Sequence, residues 1–401
     1  MDAETGFLPE GTVTSARGFV AGATSAGIKT DNSLDLGILF SEAPCVTAGL
    51  FTTNRIKAAP VILCRDNLPG ETIRAVVANS GCANAGTGEQ GLCDAVAMAT
   101  EAADHVGVPL GDVLVASTGI IGKMLPLWPI KAGIKKINLT VGGGHALARA
   151  IMTTDTVPKE VALRGADSDF IIGGVAKGSG MIHPQMGTLL CFLATDARVD
   201  KNFLARALAQ AVDSSFNMVS IDGDTSPNDT VILMANGLAG NETVRQDTKP
   251  AAAFQQALSR VCIYLAKAIA RDGEGASRLI EVNVRGASSV AGARLAARTV
   301  VASPLVKAAV HGGDPNWGRI LAAVGRSGAE VEESKLDISI GGIQMAAGGS
   351  ALSFNKKEVA AVFERGEVAI GINLNLADAV ATAWGCDLSP EYVTINSQYT
   401  T

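Results

Sequence analysis

The stretch Lys177-Gly178-Ser179-Gly180-Met181-Ile182-His183-Pro184-Gln185-Met186-Gly187-Thr188-Leu189-Leu190-Cys191-Phe192 decides how this chain is read. A lysine and a glycine-rich turn lead into a rigid proline. A Gly-Thr dipeptide then stands at the lip of an apolar run that suits a strand buried on both faces. Similar apolar, β-branched runs recur: Ile73–Ala78, Val113–Ala116, Phe170–Val175, Leu189–Ala194, Thr230–Met234, Leu279–Val284, Val368–Leu374 and Tyr392–Ile395 read as strands. Leu92–Val106, Phe203–Val212 and Ala252–Ala270 carry apolar residues at three- and four-residue spacing and read as amphipathic helices. The mixture predicts an α/β architecture rather than a helix bundle or an all-strand sandwich.

The chain has 401 residues, room for two or three domains at about 150 residues each, but no repeat, low-complexity tract or linker divides it. Hydrophobic residues make up 47% and charged residues 18%, which excludes a disordered chain. A formal net charge of −6 offers no footprint for nucleic acid or for an anionic membrane. The stretch from Gly178 to Thr195 is interrupted by His183, Pro184 and Gln185, so no membrane span is expected. The N-terminus lacks the basic and apolar regions of a secretory signal. The cysteines (Cys45, Cys64, Cys82, Cys93, Cys191, Cys262, Cys386) show no C-x-x-C spacing and read as reduced, buried thiols, so a cytoplasmic location is expected. The 45 glycines direct attention to loops.

Four loops combine small and polar residues: Asn79–Asn84, Ser117–Gly122, Asp222–Asp229 and Gly312–Arg319. Each is also what an ordinary turn uses. Gly86-Thr87-Gly88-Glu89-Gln90-Gly91 has the spacing of a dinucleotide-binding turn, but the acidic residue that should end a second strand is Asp112, at the start of one. A non-catalytic nucleotide-binding module is therefore a minor alternative. The histidines His105, His145, His183 and His311 lack metal-ligand spacing, and a calcium loop counted from Asp222 would need Glu where Leu233 stands, so no metal is expected. No G-x-S-x-G elbow is present. Gly187 and Thr188 suggest different chemistry. Attack by the Thr188 hydroxyl on the preceding carbonyl would turn the amide into an ester. Hydrolysis would then free an α-amine able to serve as base for that hydroxyl. A plain turn entering a strand fits the same dipeptide.

From about Gly18 to Thr401 the chain resembles the ornithine acetyltransferases, also called bifunctional glutamate N-acetyltransferases. The likeness rests on Asn79–Gly88, Ser117–Gly122, Lys177–Thr188, Asp222–Thr230 with Ala235-Asn236-Gly237, Asp314–Gly325, and Ala383–Asp387 through to Thr401. The resemblance implies self-cleavage between Gly187 and Thr188, with Thr188 as the nucleophile that carries the acetyl group. It implies an oxyanion hole at Thr118 and Gly119, and substrate contacts at Thr153, Lys177, Thr188, Glu274, Asn396 and Thr401. Gly187 stands where Ala is usual and Gln185 where Asn is common, which bears on the rate of cutting. The implied fold is a layered α-β-β-α core built jointly by fragments 1–187 and 188–401, with a smaller C-terminal α/β domain from about 280. The implied reaction is ping-pong transfer from N2-acetylornithine to L-glutamate without metal or organic cofactor, with acetyl-CoA left open as an alternative donor. Two α and two β chains in a heterotetramer are expected. An N-terminal-nucleophile amidase or aminopeptidase using the same Thr188 is the main rival.

Overall fold

A computed structural model describes residues 6–68, 70–165, 169–183 and 189–398. The strands are β1 (Phe19–Thr24), β2 (Leu36–Phe51), β3 (Ile73–Asn79), β4 (Val113–Ser117), β5 (Lys159–Arg164), β6 (Ile171–Lys177), β7 (Leu190–Thr195), β8 (Val219–Ser220), β9 (Thr230–Ala235), β10 (Leu279–Ala287), β11 (Asp337–Ile340), β12 (Ile343–Ala347), β13 (Ser350–Ala351), β14 (Glu367–Asn373) and β15 (Ala379–Cys386). The helices that matter below are α1 (Ala59–Asn67), α2 (Gly88–Val106), α3 (Leu127–Ile134), α4 (Gly144–Ala150), α5 (Lys201–Asp213), α6 (Lys249–Arg271), α7 (Val290–Val301), α8 (Pro304–His311), α9 (Trp317–Gly325), α10 (Lys356–Phe363) and α11 (Pro390–Gln398).

The first sheet runs β4-β3-β2-β9-β7-β6-β5, with β1 on the side of β2. Strand β2 joins two halves. Its start pairs with β1 and β3, its end with β9, and the register slips between Phe40 and Cys45. The slip contains Pro44, which has no N–H to give a ladder. The two halves share one buried apolar cluster, to which the paired Leu39 and Val76 contribute from one half and the paired Val175, Phe192 and Ile232 from the other. The opposite faces of β6, β7 and β9 bury Ile172, Cys191 and Leu233 beneath α5 and α6. Helices α1 and α2 pack on β4. This is the expected α-β-β-α layering, and both apolar layers draw residues from before and after position 187.

The second sheet runs β13-β12-β11-β14-β10-β15-β8. Helix α6 packs on β5, β6 and β15 and so connects the two sheets, while α7 lies on β10 and β15. The stretch expected as a strand at Tyr392–Ile395 is instead part of α11. Its β-branched Val393, Thr394 and Ile395 suggested a strand, but Ser389-Pro390 starts a helix: the Ser389 hydroxyl accepts the Tyr392 N–H at 3.3 Å as a cap would. Six cysteines are buried as expected, whereas Cys93 is exposed on α2. Among the described residues no helix is long and apolar enough to cross a membrane.

Candidate active site

The end of β6, the turn after β4, the Asp222–Asp229 loop and the start of α11 enclose a cavity of about 110 Å³. Thr118, Gly119, Thr153, Lys177, Glu274 and Asn396 all line it, so six of the expected site residues converge although they span the sequence. Gly187, Thr188 and Thr401 lie outside the described residues. The next described residue, Leu189, opens the approach to β7, whose Leu190 is paired with Lys177.

Lys177 is buried at the end of β6. Its ammonium donates to the Thr153 hydroxyl at 2.7 Å and to the Thr118 hydroxyl at 3.5 Å, and stands 3.9 Å from the Asp155 carboxylate. Burial pushes the ammonium below the usual lysine range, against the pull of Asp155. Asp155 is the hub beneath it, accepting from Lys159 at 2.6 Å, from the Gly178 N–H at 2.7 Å and from the Thr153 N–H at 3.0 Å. Burial raises its carboxyl, but Lys177 and Lys159 outweigh burial and hold it at about 2. Lys159 also reaches Asp272 at 2.6 Å, two residues before Glu274.

Thr118 and Gly119 follow β4. The Thr118 N–H is held by the Asn79 carbonyl at 3.0 Å. Gly119 has φ +125, and a Cβ there would stand 2.6 Å from the backbone of Gly81, so only glycine fits and the following peptide is fixed in direction. The Asn228 side chain pins this turn, donating to the Ser117 carbonyl at 2.8 Å and to the Ala83 carbonyl at 2.6 Å. Opposite, Asn396 donates to the Glu274 carboxylate at 2.7 Å. Tyr392, one turn away on the same face of α11, hydrogen-bonds Asp222. Asp222 in turn accepts the N–H groups of Met181 and Ile182 at 2.5 and 2.9 Å.

Sequence reasoning missed Asp155, Lys159, Asp222, Asn228 and Tyr392. The Asp222–Asp229 loop was visible as a polar cluster but looked like an ordinary turn. The glycine loop Gly86–Gly91 is not part of the cavity. Asn84 donates to the Gly91 carbonyl at 2.8 Å, and a Cβ at Gly91 would collide with the Thr87 hydroxyl, so that glycine serves local packing. Among the described residues no three metal-ligating side chains gather.

A two-sheet α/β layered protein with a small cavity, polar hydroxyl and amide donors on one wall and a buried ammonium and a carboxylate on others, suits chemistry on a small charged metabolite. The chain belongs to the ArgJ family, which it matches over residues 20–401. It is 51% identical over 405 residues to the arginine biosynthesis bifunctional protein ArgJ of Dehalococcoides mccartyi, with 100% of both chains covered. It is 49% identical over 397 residues to the protein of that name from Symbiobacterium thermophilum, covering 98% and 99% of the two chains. Its fold is similar to the crystal structure of the arginine biosynthesis bifunctional protein argJ from Bacillus halodurans, with a TM-score of 0.51 and 44% identity, over 52% of this chain and 98% of that one.

Proposed function

We propose that the cavity is the acetyl-transfer site of a self-cleaving enzyme of arginine biosynthesis, which moves acetyl from N2-acetylornithine to L-glutamate and releases ornithine and N-acetylglutamate. The observation that carries this reading is the convergence of Thr118, Gly119, Thr153, Lys177, Glu274 and Asn396 on one cavity. In the first half-reaction the α-amine freed at Thr188 takes the hydroxyl proton as the oxygen attacks the acetyl carbonyl. The Thr118 hydroxyl and the Gly119 N–H meet the developing oxyanion. Ornithine leaves with the proton and the acetyl group stays as an ester on Thr188; the glutamate amine then attacks that ester and regenerates the hydroxyl. Lys177 suits a substrate carboxylate, and Glu274, oriented by Asn396, a substrate ammonium. The chemistry calls for no metal or organic cofactor, and acetyl-CoA enters only as an alternative donor.

Cutting before Thr188 gives pieces of 187 and 214 residues that share one core, with a smaller C-terminal unit from about 280. A solved relative whose chain is 98% covered by 52% of this one is about half as long, the length of one such piece, which supports the reading. We further infer a heterotetramer of two copies of each piece, in the cytoplasm. Purified protein incubated with N2-acetylornithine should release ornithine and form N-acetylglutamate in equal amounts only when glutamate is present. Steady release of acetate to water, unaffected by glutamate, would replace this reading with an amidase.

A further inference from the structure

The polar loop from Asp222 to the buried Asp229 has two faces. Asp222, Asp224, Ser226 and Asn228 line the cavity described above, whereas the alternate residues Gly223 and Thr225 line a groove of about 490 Å³ on the other side. The far wall of that groove belongs to helices of the second sheet: Arg298 and Thr299 stand on α7, and Arg326 directly follows α9. His183 completes the lining on the near side. Groove and cavity are separated by the thickness of one loop.

Uncompensated positive charge sets the groove apart. In a chain of net charge −6 a cation commonly finds a carboxylate, and Arg294 of α7 pairs with Asp213. Arg298, one turn further on, feels the same carboxylate, but among the described residues its guanidinium makes no hydrogen bond or close ion pair, and neither does that of Arg326. Arg298 is half-buried, and burial disfavours its charge more than Asp213 favours it, with Arg294 adding repulsion. Burial, and then the Arg298 cation, also hold the His183 imidazole below its usual range against the pull of Asp224. A partly desolvated cation without an anion is costly. Two guanidinium forks with two hydroxyl-bearing residues, Thr225 and Thr299, between them form a donor set that suits phosphate oxygens.

We propose that this groove is a phosphate-binding site held by Arg298 and Arg326. Two sources share that chemistry. One is the phosphate-bearing end of a thioester acyl donor whose acyl group reaches round the loop into the cavity, a source that rests on the acetyl-transfer function proposed above. The other is a free phosphate compound that binds in the groove alone.

The test is a calorimetric titration of the purified protein with inorganic pyrophosphate at low salt, which should show one saturable site. Arg298→Gln and Arg326→Gln should each weaken binding about 10- to 100-fold, the worth of a hydrogen bond to a charged group. Arg298→Lys keeps the charge without the fork and should fall between. Arg285→Gln removes an exposed arginine on β10, lowers the net charge equally, and should bind as wild type does. No saturable binding to wild type, or the same weakening in Arg285→Gln as in the groove variants, overturns the proposal. Arg326 is exposed, so its variant reads the site even where Arg298→Gln fails to fold. Kinetics separate the sources. A KM for acetyl-CoA raised in the groove variants, with transfer from N2-acetylornithine unchanged, assigns the acyl donor; loss of pyrophosphate binding with an unchanged KM assigns a free phosphate compound. A wild type that transfers acetyl from neither donor defeats the function proposed above, while the pyrophosphate titration still decides the groove.

Discussion

The Glu274 carboxylate occupies the space that a side chain at residue 180 would need: a Cβ on Gly180 would stand 2.5 Å from its carboxyl carbon. The same loop holds the Glu274 backbone, whose N–H donates to the Ser179 carbonyl at 2.8 Å. Gly180→Ala should therefore push the carboxylate out of the cavity without altering its chemistry. The loss of one hydrogen bond to a charged group, about 1.5–3 kcal/mol, corresponds to a KM for N2-acetylornithine raised about 10- to 100-fold, with kcat changed far less. Steady-state kinetics check it, and an unchanged KM would remove Glu274 from substrate binding.

Thr118 offers its hydroxyl to the cavity from a turn that Asn79 and Asn228 hold in place. Thr118→Ala should lower kcat by about 10²–10³ while KM moves little. Equal turnover with weakened binding would reassign the hydroxyl to substrate positioning.

The Lys177 cation should disfavour a second positive charge on the amine freed at Thr188, holding that amine below its ordinary range of about 7.7–8.0. Acetyl-enzyme formation should then rise with pH through the amine's titration, because only the neutral amine accepts the hydroxyl proton. Lys177→Met removes the repulsion, so the apparent pKa should move up. A pre-steady-state pH profile of both proteins reads this directly; an apparent pKa that stays put would show that Lys177 does not tune the base.

Asp155 titrates at about 2 in the folded chain against an ordinary 3.8. A depressed carboxyl stabilises the fold above its unfolded pKa and loses that contribution as pH falls toward the folded one, here between about pH 4 and pH 2. The difference is worth about 2 kcal/mol. Urea unfolding at pH 6, 4 and 2.5 should show this loss in wild type and a flatter dependence in Asp155→Asn. The variant should also start lower at pH 6, because it leaves Lys159 and Lys177 without their shared carboxylate.

Much of the first sheet was legible because its strands are buried on both faces and therefore read as unbroken apolar runs; Val113–Ser117 and Leu190–Thr195 are buried throughout. Strand β2 was not, since Pro44 and the exposed Glu42 interrupt it where it changes partners. In the second sheet β11, β12 and β13 are too short to announce themselves. Six of the residues that line the cavity were found through motif resemblance, whereas Asp222, Asn228 and Tyr392, which also line it, were missed. The residues that support them were not found either, because burial is a property of the fold rather than of local spacing. Asp155 pairs with Lys159 four positions on, yet the other carboxylate on that lysine, Asp272, is 113 residues away. Likewise nothing in the local sequence separates Asp229 from the solvated acids that fill ordinary turns.

The order of the first sheet places β9 and β7, which follow Thr188, between β2 and β6, which precede it. On the proposed reading, the precursor is plaited before it is severed. A cut in the connection from β6 to β7 opens the covalent loop, yet the downstream piece stays clasped by a ladder on each side, antiparallel to β2 and to β6. Release would require unzipping both ladders at once and baring the apolar faces on either side of them. Cleavage as proposed would then be a one-way change of connectivity within a fixed hydrogen-bond map, in which the strands on either side of the cut keep their partners.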